Sequence, residues 1–193
     1  MLTLYMSPGS SAMATHIALH EIGVPFERKP LSFAKREQKT PEYLRINPEG
    51  KVPTLVLDDG QILTEVAGTL WYLARRHPTA GLLPSGDIDA EAQIVSWMSF
   101  IAATVHPARR AGVERWREVF GLAEQRLGGR EWTVGRYSIS DIHLFRLYWR
   151  FVDSLGPAPE FPGLTAHYQR MMARPAVEKT IAIEREIGYQ LPQ

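Results

Sequence analysis

The sequence predicts a mixed α/β portion followed by an all-helical one. Three observations carry this. Residues 1–77 alternate between the period-2 spacing of strands and the 3.6-residue spacing of helices. Residues 78–87 hold two prolines and two glycines, the composition of a linker. From residue 88 onward the apolar spacing is helical only. The expected division is therefore 1–77, a connecting stretch 78–87, and 88–193.

Leu2, Leu4 and Met6 alternate with Thr3 and Tyr5 and predict a first strand. Ser7-Pro8-Gly9-Ser10-Ser11 is a turn whose serines suit a helix N-cap. Ala14, Ile17, Ala18 and Ile22 then recur at helical spacing, with Gly23 as C-cap. Phe26 to Phe33 predicts a second strand, which Pro30 confines to an edge. Pro41 to Ile46 predicts a short helix. Val52 to Leu57 predicts a strand that turns at Asp59-Gly60 and returns along Gln61-Ile62-Leu63. Thr64 is expected to cap a helix that starts at Glu65 and ends before Pro78.

In the second half, Ile94, Trp97, Met98, Ile101 and Val105 share one helical face. Val113, Trp116, Phe120 and Leu127 mark the next helix, stopped by Gly128-Gly129. Ser138 with Asp141 predicts a capping box opening a third. Leu164–Ala173 and Pro175–Ile187 complete the bundle.

Composition narrows the function. The chain of 193 residues has 22 Lys+Arg against 21 Asp+Glu, without the basic excess of a nucleic-acid binder or a polybasic membrane-surface protein. There is no cysteine, so disulfides, cysteine–zinc sites, iron–sulfur clusters and a protein thiol nucleophile are excluded. No apolar run approaches the ~20 residues of a membrane helix, and the N-terminus lacks the pattern of a signal peptide. A cytoplasmic location without membrane or nucleic-acid partners is expected. His16 and His20 are spaced i, i+4, but no third ligand or general-base motif accompanies them, so they are read as structural and no metal is expected.

The string Asn47-Pro48-Glu49-Gly50-Lys51-Val52-Pro53-Thr54-Leu55, followed by Ile62-Leu63-Thr64-Glu65-Val66-Ala67 and on to Ala74, resembles the cytosolic glutathione transferases. Tyr137-Ser138-Ile139-Ser140-Asp141 and Ala173-Arg174-Pro175-Ala176-Val177 extend the resemblance over nearly the whole chain. Pro8-Gly9-Ser10-Ser11, His16-Ile17-Ala18-Leu19 and His106 are most similar to the bacterial beta class. The resemblance implies an N-terminal thioredoxin-like βαβαββα domain, an all-helical C-terminal bundle, a homodimer, and a detoxifying transferase. Glutathione is its co-substrate, a small hydrophobic electrophile its second substrate, and no metal or redox cofactor takes part.

The same resemblance implies the site. The Val52–Pro53 step is cis and turns the N–H and C=O of Val52 toward the cysteinyl unit of glutathione, as an added strand would pair. Glu65 holds the γ-glutamyl ammonium, and the N–H of Val66 holds its carboxylate at a helix start. The family usually has Ser or Thr where Val66 stands. Lys35 and Lys51 match positions near the glycyl carboxylate. A cysteine usually stands in the beta class at the position of Ser11. Here the Ser11 hydroxyl is the first choice to stabilise the glutathione thiolate, then Ser10, then Tyr5. His106 would donate to the sulfur or a bound water, with the electrophile in the cleft between the domains. Trp97, Trp116, Tyr148 and Trp149 are core residues by default, some of them, with Arg109 and Arg110, being candidates for the electrophile pocket. The alternative is a non-catalytic binding protein of the same fold, which Val66 and the missing cysteine favour slightly.

Overall fold

The computed structural model describes residues 1–84 and 86–190. The chain gathers into two compact units, residues 1–73 with 175–193 and residues 74–174. The first is built on a four-stranded sheet of order β2-β1-β3-β4. Its strands are β1 (Leu2–Met6), β2 (Phe26–Pro30), β3 (Thr54–Val56) and β4 (Ile62–Thr64). β1 and β2 run parallel, so a crossover must join them, and α1 (Ala12–Ile22) supplies it. β3 is antiparallel to both β1 and β4. The alternation read from β1 is realised: Leu2, Leu4 and Met6 are buried, while Thr3 and Tyr5 are half-buried on the other face. Leu4 pairs with Leu55, itself fully buried. Gly23 closes α1 at φ 71°, its N–H donating to the Leu19 carbonyl at 3.2 Å. α2 (Pro41–Leu44) is a single turn capped by Thr40.

One expectation at the sheet's edge is corrected. Thr64 is the last residue of β4, not a helix cap, and α3 (Val66–Arg76) begins after Glu65. Glu65 itself stands at φ 61°, and its carbonyl accepts the Thr69 N–H at 3.0 Å. The chain thus passes from strand to helix in one left-handed residue. For a residue with a Cβ, that conformation costs about 1–2 kcal/mol.

The last helix also departs from simple sequence order. α9 (Pro175–Ile187) packs on α1 in the sheet unit, whereas the division at 78–87 assigns it to the helical portion. The pattern of α9 shows an apolar face but not which surface covers it.

The second unit contains no strand among the described residues. α4 (Ile88–Phe100) continues through a π turn, Ile101–Val105, into the short α5 (His106–Ala108). Pro107 has no N–H for the α-helical ladder, and the His106 N–H reaches back to the Ile101 carbonyl. α6 (Val113–Leu127), α7 (Ile139–Leu155) and α8 (Pro162–Met172) complete the bundle. The expected face of Ile94, Trp97, Met98, Ile101 and Val105 is buried. Val113 is an exception, 43% exposed at the first position of α6. Trp116, Phe120, Tyr148 and Phe151 form an aromatic cluster with ring centroids 4.8–6.2 Å apart, in the offset and edge-on arrangements that ring quadrupoles favour. Trp97, Trp116, Tyr148 and Trp149 are all buried.

The capping box forms as read: the Ser138 hydroxyl and the Asp141 carboxylate satisfy each other's backbone N–H groups. Asp141 does more than cap. Fully buried, it also accepts from the Thr133 N–H at 2.8 Å and pairs with His167 Nε2 at 3.1 Å.

His143, on α7, is buried with Nδ1 unpartnered among the described residues. Burial, then the neighbouring His106 and Arg146, push its imidazole down to about 3. The unfolded chain takes up this proton near pH 6.5 and the native state only near 3. Between those values the unfolded state binds more protons. Stability is therefore expected to fall as pH drops from about 6.5 toward 3, and His143→Phe to flatten that dependence. Urea midpoints from pH 7 to 4 check this; parallel curves for parent and variant would refute it.

Candidate functional site

β1 delivers the chain into the turn Ser7–Ser11, which opens α1. Gly9, at φ 70°, makes the bend, and the Ser10 N–H closes it on the Ser7 carbonyl at 3.0 Å. The two serines differ. The buried Ser10 hydroxyl accepts the Ala12 N–H at 3.3 Å, which is capping work. Ser11 occupies the N-cap position with helical angles, φ −56° and ψ −23°, and its side chain makes no capping bond. It is half-buried, beside the positive end of α1.

The turn is held from below by a residue far away in sequence. Glu184 on α9 is fully buried. Its Oε2 accepts the Gly9 N–H at 2.6 Å, and its Oε1 lies 2.8 Å from His16 Nδ1 on α1. Burial, then the charges of Arg28 and Lys179, lower the His16 imidazole to about 3, so it is neutral and donates through Nδ1–H. His20, one turn on, bonds Thr180 of α9 through Nδ1 at 2.9 Å. Both histidines are therefore structural ties between α1 and α9, as their spacing without a third ligand suggests. Among the described residues no group of three or more His, Asp or Glu could hold a metal ion.

The Val52–Pro53 peptide is cis. Its flanks are pinned by a buried polar cluster. The Tyr43 hydroxyl and Asn47 Nδ2 both donate to the Lys51 carbonyl, at 2.5 and 2.9 Å, and both contact Thr54 Oγ1, at 2.8 and 3.0 Å. Between these anchors, Val52 is half-exposed and makes no hydrogen bond through its N–H or C=O among the described residues. An extended peptide meets a free donor–acceptor pair there.

Glu65 is exposed, and Val66 behind it is buried as the first residue of α3. The first N–H groups of a helix have no intrahelical partner and can receive an anion. Two threonines join this helix start to α1. Thr69 Oγ1 donates to the Val66 carbonyl at 3.0 Å and lies 2.8 Å from Thr15 Oγ1. The Thr69 proton goes to that carbonyl, so Thr15 is the donor between them.

Lys35 is exposed on the loop after β2. The Lys51 ammonium pairs with Glu49 Oε2 at 2.7 Å, an exposed contact worth about 0–1 kcal/mol and readily exchanged. Tyr5 packs its ring 5.5 Å from Tyr43, with the Lys29 ammonium over its face at 5.6 Å. The sheet unit thus carries Ser10, Ser11, Lys35, Lys51, Val52, Pro53, Glu65 and Val66, while His106 is exposed on α5 of the helical unit. Glu184, Thr15 and Thr69 gave no signal in the sequence, since their partners lie 54 to 175 positions away. Asn47 stands in the resembling string, but its role there is visible only in the structure.

A small mixed sheet with a cis-proline loop, followed by a helical unit, is a thioredoxin-like domain joined to an all-helical one. Residues 10–76 match the family model for the glutathione S-transferase N-terminal domain, and residues 88–175 match that for the C-terminal domain. Glutathione S-transferase GST-4.5 of Xanthomonas campestris is 32% identical, over 95% of this chain and 98% of its own. Glutathione S-transferase GstA of Escherichia coli O157:H7 is 29% identical over the same shares. Among solved structures, a sphingomonad glutathione S-transferase complexed with glutathione superposes with a TM-score of 0.86 at 30% identity, covering 95% of this chain and 98% of that one. A bacterial beta class enzyme from Sphingomonas chungbukensis gives 0.83 at 30%, covering 94% and 98%. The chain belongs to the glutathione S-transferase family.

Truncating Glu184 to Ala would leave the Gly9 N–H and His16 Nδ1 buried without an acceptor. The expected cost is about 1–3 kcal/mol for each stranded neutral group. Urea denaturation checks it; a loss below about 1 kcal/mol would mean that the turn is held by other contacts.

Proposed function

We propose that the protein is a glutathione transferase in which the Ser11 hydroxyl replaces the cysteine usual in the beta class. The observation that carries this is the division between the two serines: Ser10 caps α1, and the Ser11 side chain does not. The chain has no thiol of its own, so the reacting sulfur is that of glutathione. A free thiol has a pKa near 8.5, roughly, and is mostly protonated at neutral pH. A hydroxyl donor and the N-terminal end of α1 both favour the thiolate. The thiolate attacks an electrophilic carbon; the new S–C bond forms as the leaving group departs with its electron pair.

The tripeptide is bound along the sheet unit. Val52 pairs with the cysteinyl backbone, Pro53 sets its orientation, Glu65 takes the γ-glutamyl ammonium, and the Val66 N–H takes its carboxylate. Lys35 and Lys51 serve the glycyl carboxylate. His106 belongs to this set by resemblance, as a donor to the sulfur or to a bound water. Residues 1–77, together with α9, form the glutathione-binding domain, 78–87 the connection and 88–174 the helical domain. The second substrate is a small hydrophobic electrophile, and the role is cytoplasmic detoxification by a homodimer. Relatives named as transferases, about 30% identical over nearly the whole chain, favour this reading over a non-catalytic binding protein.

Ser11→Ala is expected to slow conjugation of glutathione to an activated aryl halide by about tenfold, some 1.4 kcal/mol of barrier, with glutathione affinity nearly unchanged. Ser10→Ala is expected to act mainly on stability, by about 1 kcal/mol. Turnover rates and urea midpoints of the two variants separate the roles; a full rate in Ser11→Ala with a collapse in Ser10→Ala would exchange them. Calorimetry that detects no glutathione binding at millimolar ligand would instead favour the non-catalytic protein.

A further inference from the structure

We propose that Gln190, in the segment that follows α9, is a positioning residue for Lys35 and so for the glycyl end of glutathione. This rests on the assignment of Lys35 to that carboxylate.

The contact is a relay of three hydrogen bonds. The Lys35 N–H donates to Ser32 Oγ at 3.1 Å, and Ser32 Oγ donates to Gln190 Oε1 at 2.5 Å. Gln190 Oε1 also accepts the Ala34 N–H at 3.3 Å. A backbone N–H can only donate, so the amide atom facing Ala34 must be the oxygen. The Ser32 hydroxyl has one proton. With that proton directed at Gln190, its lone pair is aimed at the Lys35 N–H. Removing the acceptor frees the hydroxyl to rotate away from Lys35.

The loop needs such a tie. Arg36, next to Lys35, holds φ 55°, a left-handed conformation that a residue with a Cβ keeps only when its surroundings impose it. The inner side of the loop is fixed by the Ser32 N–H on Glu37 Oε2 at 2.7 Å and the Glu37 N–H on the Ser32 carbonyl at 3.0 Å. Gln190 holds the outer side. It is brought there by Gly188, which leaves α9 at φ 98° with its N–H on the Glu184 carbonyl at 3.0 Å. Ile187 and Gly188 line a surface pocket of about 210 Å³ together with Pro8 and Lys35, so this segment borders both the turn before α1 and the lysine loop. One helix thus supports the site twice, through Glu184 beneath Gly9 and through its C-terminal extension over Ser32.

The test is a set of variants: Gln190→Ala, Gln190→Glu, Ser32→Ala, Lys35→Ala and the double variant of Lys35→Ala with Gln190→Ala. Each is measured for glutathione affinity by calorimetry and for KM and kcat with an activated aryl halide. The bonds are exposed and water competes for them, so Gln190→Ala and Ser32→Ala are expected to weaken glutathione binding by about three- to fivefold. The rate at saturating glutathione and the urea midpoint should stay unchanged. Gln190→Glu keeps the acceptor and should restore parental affinity. In the Lys35→Ala background, Gln190→Ala should add nothing. Lys35→Ala that weakens binding while Gln190→Ala does not would overturn the proposal, as would an equal effect of Gln190→Ala with and without Lys35. Parental affinity in Lys35→Ala would remove that lysine from the site and the proposal with it, while leaving the Ser11 assignment to its own rate measurement.

Discussion

One buried carboxylate organises the glutathione-binding half of this molecule. Glu184 reaches from α9 to the backbone of Gly9 and to His16, and so ties the turn before α1 and the body of α1 to the last helix. A carboxyl group away from water is tolerated only with partners in place, and both oxygens have them. The geometry is demanding for the same reason: Gly9 cannot move without stranding a buried oxygen. The site therefore has a rigid floor, although the residues above it sit on a turn.

That rigidity matters because thiolate stabilisation is directional. A hydroxyl lowers the pKa of a neighbouring thiol only when its proton is aimed at the sulfur. Ser10 accepts the Ala12 N–H, whereas Ser11 makes no capping bond. The turn proposed for the opposite end of the tripeptide shows a similar economy of backbone. Glu65 holds a strained φ of 61°, and the strain is supported where its carbonyl starts α3 and where Thr69 and Thr15 link α3 to α1. Local strain at a ligand-binding turn, held by surrounding hydrogen bonds, is a recurrent way to pre-organise a site.

Much of this was legible in the sequence. The strands, α1 with its Gly23 cap, the capping box at Ser138 and the helical second half follow from periodicity and cap chemistry, which act over a few residues. The strings around Val52–Pro53 and Glu65 pointed to the glutathione transferases, and the family models match the same segments. The failures are local conflicts. Thr64 resembles a cap, but β4 claims it through its pairing with Thr54, and the helix start moves on to Val66. Val113 fits an apolar helical spacing yet lies at the first turn of α6, where it is exposed.

By itself, then, the sequence determined which segments are strand or helix, the absence of a protein thiol, and the family, because these depend on residue type and short-range spacing. The tertiary structure decided which serine caps and which does not, that α9 joins the sheet unit, and that Glu184 and Gln190 tie α9 and the segment after it to the turn at Gly9 and the loop at Ser32. The Ser10 cap is a contact with Ala12 two residues on, but the others depend on pairings across 156 to 175 positions of chain. No periodicity spans that distance; the burial of one carboxyl group and the placement of two helices do.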